Sequence, residues 1–191
     1  PRPLAEKLLR SSAGIETGGC LSYQHGDPNV PFFRPERGPE SAIAAGFSLV
    51  SRSWLDVFGF ETLSGDLNAF SEPNAAIIPH SLAVKLFGSE NPVGQTIAKS
   101  EGYREAAQFT IVAVYRDFPK NASLKNDVYT DLKERLLQDF NNCSTPYFVR
   151  VKQNADIRRI EQDLLPLVWN YAKTYDEDST RSQRLRLVGL N

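Results

Sequence analysis

An α+β domain is predicted for this chain of 191 residues by three observations. Short apolar or alternating runs such as Gln108 to Tyr115 and Tyr147 to Val151 suit strands. By contrast, Leu82, Ala83, Leu86 and Phe87, and later Ile157, Ile160, Leu164, Leu167, Val168 and Tyr171, recur at helical spacing. Glycine and proline pairs stand between these segments and end one element before the next begins. Composition agrees: 41% hydrophobic and 24% charged residues describe a folded, soluble chain, large enough to bury a core without metals or crosslinks. With 22 Lys+Arg against 23 Asp+Glu, no net field draws phosphate backbones or acidic lipid, which argues against nucleic acid as a partner.

The elements follow in order. Pro1 and Pro3 suit a first helical turn, and Leu4, Ala5, Leu8 and Leu9 share one face before Gly14 ends the pattern. Ile15 to Tyr23 predicts a strand, while Pro28, Pro31, Pro35 and Pro39 predict a long irregular loop from His25 to Glu40. Ala42 to Ser51 predicts a buried strand, followed by an aromatic cluster of Trp54, Phe58 and Phe60 closed by the turn residues Gly65-Asp66. Ala75 to Ile78 predicts a short strand, then a helix through Leu82 and Phe87 capped by Gly88.

Asn91-Pro92-Val93-Gly94 predicts a tight reversal, Thr96-Ile97-Ala98 a strand, and Gln108 to Tyr115 an apolar strand that stops at Asp117-Phe118-Pro119. Val128-Tyr129 suits a short strand, and Asp131 to Phe140 stays open towards a helix. Tyr147, Val149 and Val151 alternate with Phe148, Arg150 and Lys152, which predicts one face towards solvent. Asn154 is the expected N-cap of the last helix, Pro166 the residue that kinks or divides it, and Asp176-Glu177-Asp178 a solvated loop before a final strand, Arg184 to Leu190.

Residues that carry chemistry are sparse. The loop from Gly88 to Thr96 has the glycines of a phosphate cradle, but Gln95 replaces the phosphate-contacting Lys, Glu90 repels phosphate and Pro92 removes an N–H donor. His80-Ser81 reads as a helix start offering a cap oxygen, because neighbouring residues on a helix point in different directions. His25 is remote in sequence, and neither histidine belongs to a zinc-type spacing. Cys20 and Cys143 fit no metal or redox spacing and read as free thiols, with a bridge between them, which needs an oxidising compartment, as the alternative, while Asp117, Asp127 and Asp131 read as turn and surface residues. Trp54, Phe58, Phe60, Phe70 and Phe87 read as packed core. No catalytic, cofactor-binding or metal-binding residue is assigned, and no cofactor is expected.

The longest uncharged runs, Ser41 to Ser51 and Pro73 to Val84, fall short of the roughly 20 apolar residues that span a bilayer. The charged start Pro1 to Lys7 is no secretion signal. The absence of Met predicts either a piece of a longer protein or methionines lost from the written sequence.

From Phe47 onward the sequence resembles the MacB-like periplasmic core domain of FtsX-related ABC transporter permeases. The residues that carry the likeness are Val50 to Phe60, Leu63-Ser64-Gly65-Asp66, Glu72-Pro73-Asn74, the helix Ser81 to Gly88, and Asn91-Pro92-Val93-Gly94-Gln95-Thr96-Ile97. Phe109 to Pro119 resembles the strand ending in Asp-Phe-Pro that is common in a Bacteroidetes-like branch, and Tyr147 to Tyr171 fits the last strand and helix. The sequence departs from the family in Val112-Ala113-Val114, where Val-Gly-Val is common, and in Gly26 to Pro39, which has no clear counterpart.

The resemblance implies a two-part fold, with a membrane-proximal α/β unit at about residues 1–45 and 110–191 and an inserted mixed α/β subdomain at about 46–109. It implies a non-catalytic domain on the periplasmic face of the bacterial inner membrane, joined to the bilayer through flanking helices. That domain would pass ATP-driven movement across the membrane for export or for lipoprotein or peptide handling. The implied partners are a second permease subunit, an ABC ATPase, and a periplasmic or outer-membrane component. The alternative is a ligand-binding or sensing module for a peptide or lipid; a hydrolase would require His25 or His80 beside a serine and a carboxylate.

Overall fold

The computed structural model describes residues 12–101, 104–132 and 146–172. Its strands are β1 (Ile15–Phe33), β2 (Ile43–Val50), β3 (Thr62–Gly65), β4 (Ala75–Pro79), β5 (Thr96–Glu101), β6 (Arg104–Tyr115), β7 (Asp127–Asp131) and β8 (Tyr147–Val151). Its α-helices are α1 (Arg52–Phe58), α2 (His80–Phe87) and α3 (Ile157–Ala172), an α+β fold on a mixed sheet.

Every residue of β4 is buried, so the sheet must be covered on both faces. Pairing explains how. β2 runs parallel to β7 and β4 parallel to β6, whereas β7 with β4, β6 with β5, β5 with the end of β1, and β1 with β2 are antiparallel. The ladder therefore closes on itself as a barrel, leaving no open edge in the circuit. β3 joins β6 and β8 joins the first half of β1, both as additions to this circuit.

Two apolar clusters occupy the two faces. Val30, Phe32, Phe47, Ala76, Ile78, Ile97, Ile111, Val114 and Val128 come from all the strands of the circuit and fill its interior, and Leu82, Ala83, Leu86 and Phe87 of α2 complete the same cluster. The outer cluster gathers Val50, Ala75, Ile77, Ala113, Tyr115 and Tyr129 under Trp54 and Leu55 of α1, with Phe60 and Phe70. β6 reaches both by a bulge. Ala76 pairs with Ile111 but Ile77 with Ala113, so Val112 is the extra residue, and Val112 and Ala113 both turn outward.

Several expectations need correction. β1 does not stop at Tyr23 but continues through Pro28 and Pro31 to Phe33, so the first part of the expected loop is strand. Register shifts between Ser22 and Asp27 and between Asp27 and Val30 interrupt the ladder where proline's missing N–H would otherwise break it. Pro35 and Pro39 open short 3-10 turns, where proline's fixed φ is suited to the first position. Asn154 is not the cap of α3; it takes φ 63°, and the Asp156 carboxylate accepts instead from the N–H of Arg159 (3.1 Å). α3 runs undivided through Pro166. Pro166 and Gln162, whose carbonyl loses its donor, are both exposed, so this bond is lost at the solvent face of the helix and not in its packed face.

β8 has no solvent face. All five residues are half-buried, because Phe148 meets α1 on one side while Val149 and Val151 pack with Ile160 and Leu164 of α3 on the other. The expected helix over Leu4 to Leu9, the open segment to Phe140 beyond Leu132, Cys143, the Asp176 to Asp178 loop and the strand from Arg184 lie outside the described residues. Residues 46 and 109, the approximate limits of the expected inserted part, fall inside β2 and β6.

Candidate functional site: the junction of β1, α1 and β8

β1 is shared. Its first half, Ile15 to Cys20, pairs with β8, and from Leu21 it pairs with β2, so one strand belongs to both the barrel and the β8–α3 unit. At the crossover α1 lies directly on it. A Cβ at Gly19 would overlap the backbone of Trp54, so only glycine permits this approach. The neighbouring residues are tied reciprocally: the Cys20 N–H donates to Ser51 Oγ (3.1 Å), and the Ser51 N–H donates to the Cys20 carbonyl (3.0 Å).

The far end of α1 is held from β8. Arg150 Nε and Nη2 donate to the Val57 carbonyl at 3.0 and 2.7 Å, satisfying one of the acceptors a helix leaves open at its C-terminus. Phe148, two residues earlier and on the same strand face, stands edge-on to Phe58 and Trp54 with ring centroids 5.4 and 6.5 Å apart. Trp54 is buried, and its indole N–H has no hydrogen-bond partner in its shell of Phe58, Phe60, Tyr129 and Phe148.

The residues considered for chemistry are engaged elsewhere. The Gly88–Thr96 loop is a turn: the Val93 N–H donates to Asn91 Oδ1 (3.1 Å) and the Gly94 N–H to the Ile111 carbonyl (2.8 Å). Gly94 serves the turn through its φ of 84°, with open space where a side chain would be. Ser81 does not supply the cap oxygen of α2. Its own N–H donates to Asp117 Oδ1 (3.0 Å), so the carboxylate of the Asp-Phe-Pro turn caps this helix from a distant strand end.

Asn126 fixes the same turn, its side chain accepting from the Phe118 N–H (2.7 Å) and donating to the Phe118 carbonyl (3.1 Å). Phe118 then packs against Phe60 and Tyr115. His80 is exposed at the start of α2; His25 lies on β1, and its side chain is outside the description. No serine–histidine–carboxylate triad, and no metal-sized cluster of His, Cys, Asp or Glu, forms among the described residues.

Asp127 is buried, against the expectation of a surface residue. It opens β7 inside the barrel wall, where its carboxylate accepts from Ser48 Oγ (2.7 Å) and its carbonyl from the Tyr115 hydroxyl (2.7 Å). Burial raises its pKa, and the Ser48 bond offsets only part of this. Burial likewise raises the Cys20 thiol and both Tyr115 and Tyr129, so these groups stay neutral. Cys20 is a free thiol.

Arg34 clamps the end of β1 to the loop after α2. Its guanidinium lies over the Phe87 ring at 4.9 Å, pairs with Glu36 and stands 3.0 Å from Glu90 Oε2. Of the core aromatics, Phe87 belongs to the barrel interior, whereas Trp54, Phe58, Phe60 and Phe70 belong to the outer cluster.

Sequence reasoning missed Gly19 and Arg150, although each leaves a signal. A glycine inside a strand marks close backbone approach, and an arginine two residues after a phenylalanine on a strand marks a face that meets both rings and acceptors.

Comparison with known proteins concerns the whole chain. A domain from Porphyromonas gingivalis assigned to a permease protein superposes with a TM-score of 0.74 at 19% identity, covering 98% of this chain and 81% of its own. The periplasmic region of MacB from Actinobacillus actinomycetemcomitans gives 0.62 at 13% identity, covering 95% and 83%. The extracellular domain of the noncanonic ABC-type transporter YknZ from Gram-positive bacteria gives 0.60 at 16%, covering 87% and 82%. At these identities the likeness speaks for the fold alone, and no curated protein matches significantly. The sequence itself matches the model of the MacB-like periplasmic core domain over residues 23–167, well over half of its length. The chain therefore belongs to the MacB-like periplasmic core domain family, the extracytoplasmic part of an ABC transporter permease of the inner membrane.

Proposed function

We propose that the domain carries ATP-driven conformational change from the membrane part of its permease to the outside, as a passive body with no bond-making chemistry of its own. The observation that carries this reading is β1. Nineteen residues, Ile15–Phe33, run from the β8 pairing into the barrel wall, so a pull on the β8–α3 end acts on the barrel through hydrogen-bonded ladders rather than through a loose linker. On this reading the domain has two parts, the β8–α3 unit with the first half of β1, and the barrel.

The polar groups described support a passive role, since Asp117, Ser51, Asn126 and Arg150 spend their hydrogen bonds on internal caps and turns. The partners on this reading are an ABC ATPase, a second permease subunit and a periplasmic or outer-membrane component, in export or in lipoprotein or peptide handling.

The test is a short Gly/Ser insertion into β1 between Ser22 and Asp27, where the register already shifts, made in the complete transporter. ATP hydrolysis should continue while transport is lost. Unimpaired transport would overturn the lever. A peptide or lipid that raises the melting temperature of the isolated domain would favour the sensing role instead.

A further inference from the structure

We infer that Arg150 is a latch that fastens the β8–α3 unit to the barrel and that can release without unfolding the barrel. Three observations converge on it. The guanidinium makes two donations, at 3.0 and 2.7 Å, to a single acceptor, the Val57 carbonyl at the end of α1. The apolar clusters are separate: Ile15, Ile160 and Leu164 form a small cluster of their own with Val149 and Val151, sharing no residue with the barrel interior or the outer aromatic cluster. β8 has no ladder partner other than β1 among the described residues, so its attachment to the barrel, beyond β1 itself, rests on side chains reaching α1.

Two of those side chains are Phe148 and Arg150, and they differ in kind. Phe148 makes edge-on ring contacts whose preferred geometry is broad and falls off gradually, whereas the arginine fork is satisfied in one narrow geometry. Gly59 fixes where α1 ends: it takes the left-handed conformation at φ 63°, and its N–H donates to the Leu55 carbonyl (3.0 Å), which holds the last turn of the helix beside Arg150. A contact that is strong when aligned and lost when displaced gives two discrete states, which is what a switching junction between two packed bodies requires.

The purpose of the latch rests on the transmitting role proposed above, but its existence does not. Amide hydrogen exchange on the isolated domain tests it alone. Arg150→Met keeps the packed stem and removes the donors; exchange at Leu21, Lys152 and Ile160, whose N–H groups bond to Pro146, Gly14 and Asp156, should rise roughly tenfold relative to Ile77, Ile111 and Val114. Arg150→Lys, which restores a donor to the same carbonyl, should bring that ratio back to within about threefold of the parent.

An unchanged ratio in the Met variant overturns the latch, as does equal acceleration at all six amides, which would make Arg150 a contributor to global stability only. Failure of both variants to fold overturns it as well. If the ratio responds while the β1 insertion leaves transport intact, the latch stands and the lever falls. The converse pair of results separates them the other way.

Discussion

The barrel interior and the outer aromatic cluster are both apolar, yet they are built differently. The interior is almost wholly aliphatic with Phe32, Phe47 and Phe87, and its residues come from every strand of the closed circuit. The outer cluster is a chain of rings, Phe148–Trp54–Phe60–Tyr115–Phe118, whose members sit on α1, β6, β8 and two turns. Its phenols are tied down, with the Tyr115 hydroxyl donating to the Asp127 carbonyl (2.7 Å) and the Tyr129 hydroxyl to the Lys125 carbonyl (2.6 Å). Aliphatic packing from all sides secures closure. Rings with fixed polar ends, reaching across elements, secure the relative placement of the parts.

The largest effects should separate these roles. Trp54→Ala empties the centre of the ring chain and should cost about 3–5 kcal/mol, and Ile78→Ala in the interior about 2–5 kcal/mol. Their signatures differ. With Ile78→Ala, unfolding followed by aromatic and by backbone circular dichroism should coincide, because the barrel fails as one unit. With Trp54→Ala the aromatic signal should be lost first, as β8 and the Phe118 turn loosen before the strands separate. Coincident curves for Trp54→Ala would erase the distinction.

Gly19→Ala sharpens it further. The added methyl meets the Trp54 backbone, which has no flexible end to yield, so α1 must shift as a body at a cost of about 1–3 kcal/mol. Aromatic circular dichroism should report that shift even at temperatures where the fold persists. A variant with the parent's melting temperature and spectrum would show that α1 is not pressed against β1 as described.

Local patterns carried most of the elements and none of the closure. The apolar run from Gln108 to Tyr115 could only be a buried strand, and Leu82 to Phe87 only an amphipathic helix, because both signals are contained in a few consecutive residues. What escaped involves partners far apart. β2 finds β7 some 80 residues later, a pairing no local pattern encodes. β8 was misread because alternation normally means one wet face, whereas here a helix covers each side. Proline in β1 misled for a related reason: a strand interrupted by bulges tolerates what an ideal strand does not. Part of the family likeness was legible because several of its motifs are turns, and turns such as Asn91 to Gly94 depend on residue type more than on context.

Asp117 lies on the border between the two regions, and its loss should be felt on one side only. Its carboxylate caps α2, whose apolar face belongs to the barrel interior, while Phe118 beside it belongs to the ring chain. Asp117→Ala should lower stability by about 1 kcal/mol through the orphaned Ser81 N–H, and Asp117→Asn by less, since an amide oxygen still accepts. The aromatic spectrum should not change, because Asn126 holds the Phe118 backbone independently. An altered spectrum would mean that cap and ring chain are one device.

The smallest effect is a dependence on pH. Asp127 is a carboxyl group in the wall between the two clusters, buried beside Gly46 with Ser48 as its hydroxyl partner, and burial raises its pKa in the folded state. The unfolded chain ionises it near the ordinary value of about 3.9, so unfolding releases a proton between that value and the higher folded one. Its contribution to stability is therefore complete below about pH 4, declines as pH rises through the folded pKa, and is constant above it. Asp127→Asn keeps an oxygen for Ser48 and carries no charge, so it should lose that decline. Melting temperatures of parent and variant measured from pH 4 to pH 8 should diverge in the variant's favour as pH rises. Other carboxylates titrate alike in both proteins and cancel in the difference. A difference that is flat, or that favours the parent at higher pH, would mean that the folded wall holds the ionised carboxylate at no cost, and that the boundary between the aliphatic and aromatic clusters is more polar than its packing implies.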